Sequence, residues 1–408
     1  MDLATLTQAV GNDAALRRRR VLQPVGGKGD KLFPSTYPEE RRGQGPRHVF
    51  ERRRIDGREA WCVLIDSVQS QANRLEEALL LALRDKALTM PYVTVDFRDA
   101  RLAGLTEVTS LDAPHRVYDA ILRDSLLDGQ PFMKSPVGVR LAEAKPSDAT
   151  SLLEASPTAL LFGAWHSTGE GGGLGAKFPR CLVSEIVAVD VPVEDGAPDP
   201  RTGLIEVQTA GRRTGSRIDP LGVLRRVEVF KGAEGWDVDK GRAGKGAKAV
   251  RPSEINHGNI APSVQPLGIT CDHAEHVAVI SFAGLRRLGF GGGEKDAAAR
   301  AFLAALGIVA LVEQDSRGYS LRSRCDLVCD GPAPFELVHP DGAVDQVNLD
   351  REAARALYAA ALAAVGNAGL SLPAEPIRLT PQPKLVEIVR RSQALALEGE
   401  GGEAEEQT

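Results

Sequence analysis

The chain has 408 residues, 43% hydrophobic and 26% charged, enough to bury a large core in one elaborated domain or in two to three smaller ones. No apolar run approaches the ~20 residues of a membrane helix, no apolar signal segment opens the chain, and five scattered cysteines suit a reducing compartment, so a cytoplasmic protein is expected. The net charge of −5 hides a segregation: Arg17 to Arg58 carries 13 Lys and Arg against 5 Asp and Glu, Arg212 to Arg251 carries 11 against 5, and Ala396 to Thr408 has five Glu and no base. Two basic segments on an acidic chain point to a polyanion partner.

Residues 1 to 60 read as a basic, irregular arm holding Arg18, Arg19, Arg20 and Lys28. Gly26, Gly27, Lys28 and Gly29 are not followed by Gly-Lys-Ser/Thr, which excludes a phosphate-loop NTPase. Trp61 to Ile65 form a strand that leaves the core at Asp66, and Val68, Ala72, Leu75, Leu79 and Ala82 give the next segment an amphipathic helical stripe. The first turns of that helix carry Ser67, Gln69, Ser70, Gln71, Asn73 and Arg74, donors suited either to a phosphate or ribose or to ordinary capping. Tyr92 to Phe97 alternates as a strand and completes a β-α-β start. Asp112 then suits an N-cap with Pro114 in the first turn of a helix that Gly129 stops, and this helix carries His115, Arg116 and Asp119. His115 and Asp119 stand four apart, a spacing open to a metal or a proton path, but with no third ligand; an exposed histidine at a helix start is the commoner meaning.

Residues 159 to 166 read as a strand entering a glycine-rich loop that Lys177 and Arg180 close before another strand, CLVSEIVAVDV. The segment from about 192 to 270, which includes Arg217, has little periodicity and reads as an insertion. HVAVISF (276 to 282), a helix over about 294 to 312 and a strand over about 319 to 328 make a second β-α-β, with Arg286, Arg287 and the glycines 289, 291, 292 and 293 before its helix. Two such units predict an α+β chain with a ferredoxin-like split β-α-β sheet. Cys271, His273 and His276 offer zinc donors without a fourth. A helical extension over about 331 to 395 and a disordered acidic tail end the chain.

Taken in order, LQPVGGKGDKLFPSTY, LIDSVQSQANRLEEALL, TSLDAPHRVYDAILRDS, ALLFGAWHS, KFPRCLVSEI and SRIDPLG resemble the backbone subunit of type I-U (now I-G) CRISPR effector complexes, of the repeat-associated RNA-binding superfamily. The likeness runs from about Leu22 to Val223, is looser through the Gly284 to Gly293 loop, and fades over Pro192 to Gly215 and Gly232 to Arg251. It implies an RRM-like palm (about 61 to 330) with inserted finger and thumb subdomains over about 100 to 158 and 192 to 270. It also implies a non-catalytic protein, without cofactor or metal, that polymerises along CRISPR guide RNA beside the other effector subunits and presents the guide to target DNA.

The apparent strands lack an RNP-type aromatic motif, so RNA contacts are expected on phosphate and ribose. The expected RNA-binding set is Arg18, Arg19, Arg20, Lys28, Ser70, Gln71, Asn73, Arg74, His115, Arg116, Lys177, Arg180, Arg217, Arg286 and Arg287, with the Gly289, Gly291 and Gly292 backbone. Two rivals stand beside this: an RNA endonuclease using Asp66, Asp112 or Asp124 with His115 or His166, and a nucleotide-binding module at the Gly284 to Gly293 loop.

Overall fold

The computed structural model describes residues 1–38, 47–166, 177–193, 212–213, 220–232, 235–258, 264–265 and 267–399. Arg217, most of the glycine-rich loop before Lys177 and the end of the acidic tail lie outside the described residues. Helix α1 (Leu3–Asn12) is capped by Asp2, which accepts the Thr5 N–H at 2.8 Å. Strand β1 (Ala15–Pro24) follows, so residues 1 to 60 are not an irregular arm. The arginine run is strand because alternation carries it: Leu16, Arg18 and Leu22 are buried, while Val21 and Arg19 face outward.

β2 (Phe50–Ile55) and β3 (Arg58–Asp66) form a hairpin across Asp56 and Gly57, whose φ values of 50° and 81° are those of a two-residue turn matched to strand twist. α2 (Val68–Arg84) starts directly from β3. β4 (Leu182–Val189), β5 (His273–Ser281), α3 (Gly293–Arg317), β6 (Tyr319–Arg322), β7 (Cys325–Cys329), β8 (Phe335–Val338), β9 (Val344–Val347) and α4 (Arg351–Asn367) complete the main framework.

The strands join in a nine-stranded sheet of order β6-β7-β1-β5-β4-β3-β2, antiparallel at every pairing, with β8 also on β1 and β9 on β8. Since β1 and β4 both run antiparallel to β5, they are parallel to each other with β5 between; β5 and β7 are likewise parallel with β1 between. α2 lies in the connection from β1 to β4 and α3 in that from β5 to β7. The two helices pack together, and α3 is buried from Phe302 through Gln314. A Cβ at Gly307 would stand 2.9 Å from the Ile280 side chain, which is why glycine sits where α3 crosses the sheet.

Several local expectations change. The strand expected at 92 to 97 (Val93–Asp96) does not join the main sheet; it pairs parallel with Ile377–Pro381 and antiparallel with Glu107–Thr109 in a separate five-stranded sheet. Its parallel partner, with Ile377 opposite Val93, lies 284 residues further along the chain, beyond any local signal. The helix expected after Asp112 breaks into a 3-10 turn (Arg116–Tyr118) and a short helix (Ala120–Arg123), because Asp112 caps Thr109 at 3.0 Å and Asp119 caps the later helix through Ile121 N–H at 2.9 Å. The apolar run at 159 to 166 is helix (Thr158–Phe162) and then a two-residue strand, since an apolar run alone does not distinguish the two. The stretch 319 to 328 is a hairpin, β6 and β7, turned at Arg324 with φ 58°.

The described residues within 208–268 and 386–399 belong to a second compact unit. Its described part holds a three-stranded antiparallel sheet of Val229–Gly232, Gly235–Asp237 and Lys248–Val250. Among the described residues no helix is long and apolar enough to cross a membrane.

Candidate nucleic-acid interface

The phase of α2 divides its polar first turns between two sides. Ser67 caps the helix through the Ser70 N–H. Ser70, Gln71 and Arg74 turn toward Asp66, which is fully buried and accepts from Ser70 Oγ at 2.9 Å, Gln71 Nε2 at 2.6 Å, Arg74 Nε at 2.9 Å and an Arg322 guanidinium nitrogen at 2.9 Å. Arg74 also donates to the Leu321 carbonyl at 2.6 Å. These three expected RNA-binding residues therefore tie the β3-α2 corner to β6, since a buried carboxylate persists only with such compensation.

From that corner a polar chain runs under the sheet. Gln71 Oε1 accepts from Gln314 Nε2 at 3.1 Å, with Ser184 Oγ 3.4 Å away. Ser184 meets His276 Nε2 at 2.6 Å, His276 Nδ1 meets the Tyr319 hydroxyl at 3.1 Å, and that hydroxyl donates to Asp315. With the Tyr319 O–H directed at Asp315, Nδ1–H donates to the tyrosine oxygen and Nε2 accepts from Ser184, so the imidazole is neutral. Burial, aided by the Arg18 and Arg20 charges, drives the His276 pKa well below its usual value, and burial drives that of Tyr319 up. Asp315 closes the chain, taking Arg18 at 2.6 and 3.1 Å and Arg20 at 3.0 Å. Arg18 and Arg20 thus serve the sheet and α3, and Arg19 pairs with Glu275 at 2.6 Å.

The other face of α2 borders an open cleft of about 850 Å³. Gln69 and Asn73 form one wall; Pro114, His115 and Arg116 a second; Phe162 to Trp165 and Lys177 to Arg180 the rest. Trp165 and Lys177 are a cross-strand pair; the indole is 50% exposed and Lys177 Nζ stands 4.6 Å from its ring centroid. Beneath, Arg116 is buried and held by Glu76 at 2.8 and 2.7 Å and by the Gly163 carbonyl at 3.1 Å. Its backbone has φ 54°, a conformation costly for a residue with a Cβ and fixed here by those three bonds. Burial pushes the Glu76 carboxyl up to about 7 against the pull of the Arg116 charge. Arg180 is exposed and makes no ion pair among the described residues; partial burial and then the Arg116 charge lower its pKa. The floor is therefore charge-compensated while Lys177 and Arg180 leave the rim positive, a field that attracts anions.

Of the expected RNA-binding set, Asn73, His115, Arg116, Lys177 and Arg180 come together here. The others lie elsewhere. Lys28 pairs with Asp330 at 2.8 Å, and Arg286 caps the end of α1 through the Val10 and Asp13 carbonyls at 2.7 and 2.8 Å, while Arg287 is exposed. The glycine loop is internally satisfied: Asp296 accepts the Phe290 and Gly292 N–H groups at 2.7 and 3.0 Å, taking two donors that a phosphate would need. A Cβ at Gly289 would lie 2.3 Å from the Ser147 carbonyl oxygen, so that glycine answers to close backbone packing, and Gly291 and Gly292 to φ values of 101° and 84°. Two cleft residues, Gln69 and Trp165, were not in the expected set; an indole at the mouth of a glycine-rich loop is the sequence signal that marks the second.

All the walls of this cleft fall within one family match. The family model described as CRISPR-associated protein GSU0053 matches residues 16–193. That segment, less than half of the chain, is similar to this CRISPR-associated family. It covers β1, the β2-β3 hairpin, α2 and β4. No curated protein matches the chain.

Within this family frame, the acids and histidines that a nuclease would draw on are dispersed. Asp66 is buried in its four-donor site, Asp112 is bonded to Thr109, Asp124 pairs with Lys384 at 3.0 Å, and His166 is stacked on Tyr118 at 4.8 Å. His115 sits exposed at the cleft edge, its N–H donating to Asp119 at 3.0 Å, and Asp119 is committed to the following helix. Cys271 has its thiol pushed up to about 12 by burial, His273 pairs with Asp272, and His276 is inside the polar chain. Among the described residues no three such side chains gather in a metal-binding group.

Proposed function

We propose that this chain is a non-catalytic backbone subunit of a type I CRISPR effector complex. It polymerises along guide RNA through sequence-independent phosphate and ribose contacts and presents the guide for pairing with target DNA. The observation that carries this is the cleft beside α2, within the family-matched segment. Its rim cations have no carboxylate partner among the described residues, its floor is neutralised by Glu76, and Gln69 and Asn73 add amides that bond sugar and phosphate without regard to base. The strand order β7-β1-β5-β4 with interleaved α2 and α3 crossovers supports a ferredoxin-like palm. The dispersal of Asp66, Asp112 and Asp124 supports the non-enzymatic role.

Size-exclusion light scattering with guide RNAs of increasing length should show stepwise growth in mass, as open head-to-tail association requires. A closed dimer indifferent to RNA length would refute polymerisation. Incubation with labelled guide and complementary RNA, with and without Mg²⁺, should leave both intact. Cleavage that disappears in Asp or His alanine variants would restore the endonuclease.

A further inference from the structure

The cleft holds one group that phosphate and ribose contacts do not use, the indole of Trp165. Aromatics are 5% of the chain, and this one is half exposed at the cleft rim. Its position is fixed twice, by the backbone pairing with Lys177 and by the Lys177 ammonium over its ring. An exposed indole held in one orientation is a stacking platform, because its rotamer entropy is already spent before a ligand arrives. Around it lie Arg180, a cation with no ion pair among the described residues, and Asn73 as an exposed amide, and the strained Arg116 backbone marks the same place as one the fold keeps at a cost.

We propose that this cleft seats one unstacked nucleotide of single-stranded RNA, its base against Trp165, its phosphate against Arg180 and its ribose within reach of Asn73. This rests on the RNA-coating function proposed above and deepens it, since it adds a base contact to a surface expected to touch only the backbone. The volume of about 850 Å³ suits a nucleotide-sized ligand. Stacking is compatible with indifference to spacer sequence, because every base offers a π face. A duplex does not qualify: its bases are stacked on one another and closed to the indole.

The chain has three tryptophans, so Trp61→Phe with Trp236→Phe leaves Trp165 as the sole indole; neither replaced residue lines the cleft. Short single-stranded oligo-A, oligo-U and oligo-C RNAs should each quench its emission, and duplex RNA of the same length should not. In the full-length protein, Trp165→Ala should weaken single-stranded RNA binding roughly 5- to 150-fold for all three sequences. Trp165→Phe should keep most of the affinity, which separates loss of stacking from loss of fold. If RNA binds and drives assembly while Trp165 emission and the alanine affinity stay unchanged, or if duplex quenches equally, the nucleotide seat is wrong and the coating function stands. If no RNA binds at all, both fall.

Discussion

Replacing Asp66 with alanine tests the junction from which α2 is positioned. The wild-type carboxylate is fully buried and accepts four side-chain donors, two of them guanidinium groups. Removing one member of a buried ion pair costs about 3–5 kcal/mol. Here the Arg74 and Arg322 side chains are 23% and 28% exposed and recover part of their hydration, so the expected loss is at the lower end, about 3 kcal/mol. Gln71, buried beside them, cannot reach water and supplies part of that cost. Urea denaturation followed by far-UV circular dichroism measures it. Arg74→Ala alone should be destabilising, and the double variant should lose less than the sum of the two singles by about 1–2 kcal/mol, since the residues share one interaction. Arg74→Ala, still folded at low temperature, should keep the wild-type salt dependence of RNA binding, because its guanidinium serves Asp66 and Leu321. An Asp66→Ala variant within ~0.5 kcal/mol of wild type, the range of an inconsequential surface change, or a reduced salt slope for Arg74→Ala, would refute this account of the junction.

The rim cations behave differently: Arg180→Ala or Lys177→Ala should lower the log–log salt slope by about 0.7 for each phosphate that is no longer neutralised, whereas Gln69→Ala or Asn73→Ala should weaken binding with the slope unchanged. Gly289→Ala should cost about 1–3 kcal/mol in thermal or urea unfolding, because its Cβ meets the Ser147 carbonyl; an unchanged midpoint would mean that this clash relaxes freely. Burial holds His276 neutral in the fold, whereas in the unfolded chain it takes up a proton near its ordinary pKa of 6.5. Its stabilising contribution is therefore complete above that pH and is lost as pH falls below it, at about 1.4 kcal/mol per pH unit. Because Glu76, raised to about 7, contributes the opposite slope over the same range, the His276 contribution is read as the difference in urea stability between wild type and His276→Gln, which should shrink as pH falls from 7.5 to 5.5; a difference independent of pH would refute it.

The sequence by itself determined the elements whose signal is local. The β3-α2 unit, the strand at β5, the helix α3 and the C-terminal helices follow from apolar periodicity, which depends only on neighbours a few residues away. The polar first turns of α2, the cations closing the glycine loop and the segment matched by the family were also visible there, and Asn73, His115, Arg116, Lys177 and Arg180 do meet in one cleft. What the sequence did not carry was which polar groups were already taken. Arg18, Gln71 and Arg74 have the composition of RNA-binding residues, yet each bonds a group some 240 to 300 residues further along the chain: Asp315, Gln314 and the Leu321 carbonyl. The glycine run before α3 looks like a phosphate loop until Asp296 is found occupying its N–H groups. The arginine run at 17 to 20 looks like a solvated arm until β5 and β7 are placed on either side of its strand. In each case the chemistry of a side chain was legible, but whether its charge faces solvent or a buried counter-charge depends on long-range pairing, which only the folded chain decides.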